Sequence, residues 1–128
     1  MLESALDKLA ERILSLDEAS LSGPSDLRLI EAGQVRAESL DPASLGLTAA
    51  PLESLVGGDV AANRTILEAV LQGHGTPAQS DVVALNTALV LWAAGRADSV
   101  AEAVPLAQAA MASGAAWQRL VALRDALA

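Results

Sequence analysis

The sequence predicts a mainly α-helical fold carrying one β-hairpin, and three observations predict it. Apolar residues recur at three- and four-residue spacing through most of the chain, the period of a helix with one buried face. Between Ser25 and Leu40 that period gives way to two short apolar-bearing runs around a Gly-containing connection, a hairpin signal. The composition agrees: 52% of the 128 residues are hydrophobic, with 28 Ala and 22 Leu but two Trp, no Phe and no Tyr. A chain of this length buries roughly two thirds of its unfolded surface. With so few aromatics, its core must be thin Ala/Leu packing between closely approaching helices.

Taken in order, residues 2–16 have Leu2, Leu6, Leu9, Ile13 and Leu16 on one face and Glu3, Asp7, Lys8, Glu11 and Arg12 on the other, an amphipathic helix. The period breaks over Asp17 to Ser25, where Gly23-Pro24 marks a turn. Ser25–Glu31 and Val35–Leu40 read as strands joined by Ala32-Gly33-Gln34, and Asp41-Pro42 closes the second. Beyond this the chain reads helical. Asp59 is a suitable N-cap for a helix from Val60 to Gln72, with Gly73 past its end. Asp81 is expected to cap a helix from Val82 to Ala94, apolar nearly all round and so central, stopping at Gly95. Ser99 and Glu102 have capping-box spacing for a helix to Ala112. Pro105 within it should bend the chain, at a cost of ~3 kcal/mol if unrelieved. After Ser113-Gly114, Ala115–Leu127 forms the last helix, with Trp117, Leu120, Val121 and Leu127 on its apolar side.

Several functions are excluded. The absence of Cys removes disulfides, thiolate metal sites and thiol nucleophiles. Two Trp cannot build a stacking platform for single-stranded nucleic acid. A net charge of −8 opposes nucleic acid and anionic membrane as partners. No apolar run approaches the ~18 residues of a membrane span, and no signal peptide is evident, so a soluble, cytoplasmic protein is expected.

Few residues suggest chemistry. Asp17-Glu18 is an adjacent acid pair in the loop after the first helix, chemically suited to a hard cation such as Mg²⁺, although adjacent acids are common and by pattern alone a solvated pair is the stronger reading. Gly57-Gly58-Asp59 precedes a helix as a phosphate cradle would, yet the Asp59 carboxylate would itself occupy the helix N–H groups and repel phosphate. His74 stands in a loop between two glycines, without a second His or a nucleophile in its neighbourhood. Asn63 and Asn86 fall within helices, where Asn is a mediocre former, and are expected to hydrogen-bond a loop or a neighbouring helix end. Arg96 follows a helix C-terminus, where it offsets the dipole. The residues alone describe a helical domain without a complete active site.

From Asp17 onward the chain nevertheless resembles the C-terminal part of the anthranilate phosphoribosyltransferase family. The resemblance rests on Asp17-Glu18, Gly23-Pro24, Asp41-Pro42, Gly57-Gly58-Asp59 with Asn63, and Asp81 with Leu85-Asn86. It continues through Ala97, Ser99 and Glu102 to Ser113-Gly114 with Ala116, in the family's order and over about 112 residues. It implies two segments: residues 1–16, a non-matching helix, and residues 17–128, the C-terminal segment of a catalytic domain. The implied fold is a partial α/β domain of the nucleoside phosphorylase/phosphoribosyltransferase type that lacks most of its sheet.

The activity implied by the resemblance is transfer of phosphoribosyl from phosphoribosyl diphosphate to the amino group of anthranilate, a step of tryptophan biosynthesis using Mg²⁺. It makes Asp17 and Glu18 the metal ligands. The family's Gly-rich diphosphate loop, Asn/Ser/Thr segment, Lys-bearing loop and anthranilate-binding Arg precede the acid pair, and none has a counterpart here. No Gly-Thr-Gly-Gly-Asp occurs, and Lys8 is the sole lysine. The expectation is a transferase segment inactive by itself. The alternative is a small acidic helical interaction or scaffold module without catalysis, with self-association through the residue 2–16 helix or the hairpin edge.

Overall fold

The structure, a computed structural model, describes residues 18–128; the helix expected over residues 2–16 and Asp17 lie outside the described residues. Two strands, β1 (Ser25–Glu31) and β2 (Gln34–Leu40), are followed by single 3-10 turns at Pro42–Leu45 and Leu52–Leu55. Four helices complete the chain: α1 (Val60–Leu71), α2 (Pro77–Ala93), α3 (Val100–Ala112) and α4 (Ala115–Leu127). Mainly helical with one hairpin is therefore what the described residues form.

The strands are antiparallel, with Ser25 opposite Leu40 and Glu31 opposite Gln34. Gln34 is thus a strand residue, and the expected three-residue connection is a two-residue turn, Ala32-Gly33. Both turn residues have positive φ, 49° and 77°. A two-residue loop with this left-handed pair matches the twist of the strands it joins, which a looser loop does not. Leu27 and Leu29 are half-buried on one face of β1, while Asp26, Arg28 and Ile30 face out. The adjacent Leu29 and Ile30 therefore lie on opposite faces of the sheet.

The start of α2 also differs from expectation. It begins at Pro77, and its N-cap is Thr76 rather than Asp81. Thr76 Oγ1 accepts from the Gln79 N–H at 3.3 Å, while Gln79 Oε1 accepts from the Thr76 N–H at 3.0 Å. This reciprocal box, with Pro at the first helical position where no N–H is required, outcompetes a cap five residues later. Asp81 instead accepts from the Thr48 N–H at 3.1 Å, tying the loop after β2 to the helix.

The other caps follow the sequence. Asp59 accepts from the Ala62 N–H at 2.8 Å, and Ser99 from the Glu102 N–H at 3.1 Å. Glu102 reaches back one residue beyond the cap, accepting from the Asp98 N–H at 3.2 Å. Pro105 lies on the exposed side of α3, which runs helical through Ala112.

The core forms where α2 and α3 pack together, the main helix–helix contact of the described residues. Their facing residues are small: Ala84, Ala88, Ala103 and Ala107 are all buried. On one side of the pair, Leu85, Val100 and Val104 meet Leu21, Leu40 and Leu47 from the hairpin and its flanking loops. On the other, Val70 of α1 packs with Ala84, Ala107 and Met111. Alanine lets helix backbones approach closely, so burial is achieved without aromatic bulk.

Candidate metal-binding segment

Glu18, the described member of the acid pair, lies in the segment that enters the hairpin. Glu18 is exposed, and its carboxylate has no hydrogen-bond or ion-pair partner among the described residues. Directly after it the chain is tightly held. The Ala19 N–H donates to Asn86 Oδ1 at 2.9 Å, and Asn86 Nδ2 donates to the Ala19 carbonyl at 2.9 Å. The same Nδ2 also donates to the Val82 carbonyl, one turn back in α2, at 3.0 Å. Ser20 is buried with its hydroxyl 2.7 Å from that of Ser22 and accepting from the Ser22 N–H at 3.0 Å. Leu21 is fully buried, and its carbonyl accepts from the Ala50 N–H at 3.1 Å. An irregular segment is thereby fixed to a helix without a strand or helix of its own.

The donor chemistry of this segment suits a hard cation. Mg²⁺ is usually held by one or two carboxylates together with substrate phosphates and water, not by a full protein cage. Among the described residues no group of three or more His, Asp or Glu side chains gathers, and Glu18 is a single solvent-facing carboxylate.

The other candidates are accounted for by structure. Asn63 Oδ1 accepts from the Gly58 N–H at 2.9 Å, and its Nδ2 donates to the Gly58 carbonyl at 3.0 Å. A Cβ at Gly57 would collide with this amide. These bonds and the Asp59 cap engage the Gly58 and Ala62 N–H groups, and the Asp59 carboxylate takes the place a phosphate would need at this helix end. The His74 side chain is exposed, and its backbone N–H closes α1 by donating to the Ala69 carbonyl at 2.7 Å. Arg96 is exposed just past α2, with its N–H donating to the Leu91 carbonyl at 2.8 Å.

Two shallow concavities add no further chemistry. One, of about 280 Å³, lies between the hairpin and the α2–α3 junction and includes Arg36, Glu38, Asp98 and Ser99. Arg36 is already flanked by Glu38 at 3.3 Å and Glu31 at 3.7 Å. The second, of about 250 Å³, runs between α1 and α4 past Leu67, Trp117, Leu120 and Val121. On its rim the Glu68 carboxylate, hydrogen-bonded to Arg64 at 2.8 Å, raises the guanidinium pKa above its ordinary value. The sequence singled out Asp17-Glu18 but did not connect them with Asn86. That connection spans 67 residues, and no local spacing signals it.

The model of the glycosyl transferase family a/b domain matches residues 11–117, and the chain belongs to this family. Within it, the chain is 57% identical over 112 residues to the anthranilate phosphoribosyltransferase of Synechococcus sp. (strain RCC307), covering 88% of this chain and 33% of that protein. It is 58% identical over 113 residues to the enzyme of the same name from Parasynechococcus marenigrum (strain WH8102), covering 88% and 32%.

The crystal structure of anthranilate phosphoribosyltransferase from Thermus thermophilus superposes with a TM-score of 0.70 at 36% identity, over 80% of this chain and 30% of that one. The Saccharomyces cerevisiae enzyme in complex with 4-fluoroanthranilate, at 24% identity and a TM-score of 0.71, supports the fold alone. The chain spans about a third of the length of the relatives it matches. Among the described residues no helix is long and apolar enough to cross a membrane.

Proposed function

We propose that these 128 residues supply the metal-binding carboxylates and the helical flank of an anthranilate phosphoribosyltransferase. The observation that carries this reading is the 57% identity to a protein of that name, over a segment that includes the acid pair. In this reading Asp17 and Glu18 hold Mg²⁺. The metal, when bound, neutralises charge developing on the diphosphate leaving group as the ribose becomes cation-like. Glu18 contributes an exposed oxygen donor, and α2 and the buried Leu21 give the acid-bearing segment a rigid footing. Phosphoribosyl diphosphate and anthranilate are the substrates of the complete enzyme.

The diphosphate loop that the reaction needs has no counterpart in these 128 residues. Incubation of the chain with anthranilate, phosphoribosyl diphosphate and Mg²⁺ should therefore give no turnover. The decisive experiment is a graft of residues 17–128 in place of the matching third of the Synechococcus sp. (strain RCC307) protein, followed by loss of anthranilate fluorescence. The graft should turn over. The same graft with Glu18→Gln should lose about two orders of magnitude in kcat, the scale of removing one charge-stabilising group from a transition state. A folded graft without turnover, or one indifferent to Glu18→Gln, overturns the reading.

A further inference from the structure

We propose that Asn86 is the positioning residue of Glu18, acting on it from α2 through the backbone of Ala19. This inference rests on the reading of Asp17 and Glu18 as metal ligands. One side-chain amide engages both the N–H and the carbonyl of Ala19, each at 2.9 Å, as a neighbouring strand would. An amide has the donor and acceptor needed for this on one planar group. Its third bond, Nδ2 to the Val82 carbonyl at 3.0 Å, fixes the rotamer against the helix. The Ala19 N–H belongs to the peptide plane that contains the Glu18 carbonyl. Holding that plane fixes the Glu18 Cα and narrows where its carboxylate can reach, leaving only the torsions within Glu18 itself to set its direction.

The remaining anchors act further along. Leu21 is buried and bonded to Ala50, and Ser20 is bonded to Ser22, so residues 20–22 stay docked without Asn86. The helix does not depend on Asn86 either, since Ala is the better helix former at an interior position. Loss of Asn86 should therefore free Glu18 and leave the fold in place. Outer partners that orient metal ligands typically matter for metal affinity in just this way.

The test uses the full chain, ¹⁵N-labelled and titrated with Mn²⁺ alone, reading paramagnetic broadening of each amide. Ser54, beside the exposed Glu53, serves as the internal reference for non-specific attraction to an acidic surface. In the natural chain, Ala19 and Ser20 should broaden at lower Mn²⁺ than Ser54, and Glu18→Gln should abolish that preference. Asn86→Ala should raise the Mn²⁺ needed at Ala19 roughly tenfold. It should also expose the Ala19 amide to exchange while α2 and α3 signals hold their positions.

Asn86→Ser, whose short hydroxyl cannot bridge both groups, is read in the same way should the alanine variant lose its dispersed spectrum. An unchanged preference in a folded Asn86 variant overturns the positioning role and leaves the metal reading standing. No preference in the natural chain overturns the metal reading, and the positioning role falls with it.

Discussion

Leu85 shows what a single side chain does in this molecule. It is fully buried on α2, one residue from Ala84 and three from Ala88, and it meets residues from the loops on either side of the hairpin. Because the surrounding helices touch through alanines, they have few large side chains that could shift to fill a gap. Leu85→Ala should therefore cost about 2–5 kcal/mol, toward the upper end of that range, by lost transfer energy plus a cavity. A thermal melt followed by circular dichroism checks this; an unchanged midpoint would mean that the site collapses freely. The polar residues of the helices do something different. Asn63 and Asn86 each pair both peptide groups of one loop residue, Gly58 and Ala19. Each secures an irregular segment to a regular one, at a modest cost in helix propensity.

The hairpin is weakly supported among the described elements. Its two strands pair only with each other among the described residues, and most of β2 is exposed. Isolated two-stranded hairpins are marginal in water. Amide exchange in β1 and β2 should therefore be faster than in α2; equal protection would refute this. The turn offers a direct handle, because Ala32 sits at φ 49°. An L-residue with a Cβ pays about 1 kcal/mol or more there, whereas Asn tolerates this region. Ala32→Asn should accordingly slow exchange across the hairpin while leaving the α2 rates unchanged. By contrast α2 is well determined, with a complete capping box at one end and the core along its length.

Over the whole molecule, the balance lies between exposed apolar surface and net charge. Ile30 and Val35, directly opposite each other in the hairpin, are 79% and 67% exposed, and Leu127 is 78% exposed. Such surface favours association, as do unpaired strand edges. The net charge of −8 opposes it by like-charge repulsion. Salt screens the repulsion and leaves the apolar attraction. Light scattering should therefore show a mean mass above 13.0 kDa that rises with added NaCl. Ile30→Thr with Val35→Thr should lower it. A monomer at every salt concentration would overturn this expectation, as would a mass that falls with salt.

The sequence by itself determined the helical class, the hairpin, three of the four helix starts and the family. These follow from periodicity, turn chemistry and capping residues, all of which act within a few positions along the chain. Its two errors of boundary were local competitions decided by geometry. Thr76-Pro77 offered a better helix start than Asp81, and a two-residue turn closed the strands more tightly than three. Glu18 was legible as an acid next to an acid, and Asn86 as a helical Asn in need of partners. Only the tertiary structure joined α2 to the backbone beside Glu18. A hydrogen bond across 67 residues depends on where packing sets the helix against the loop, and the spacing of residues along a chain does not encode that.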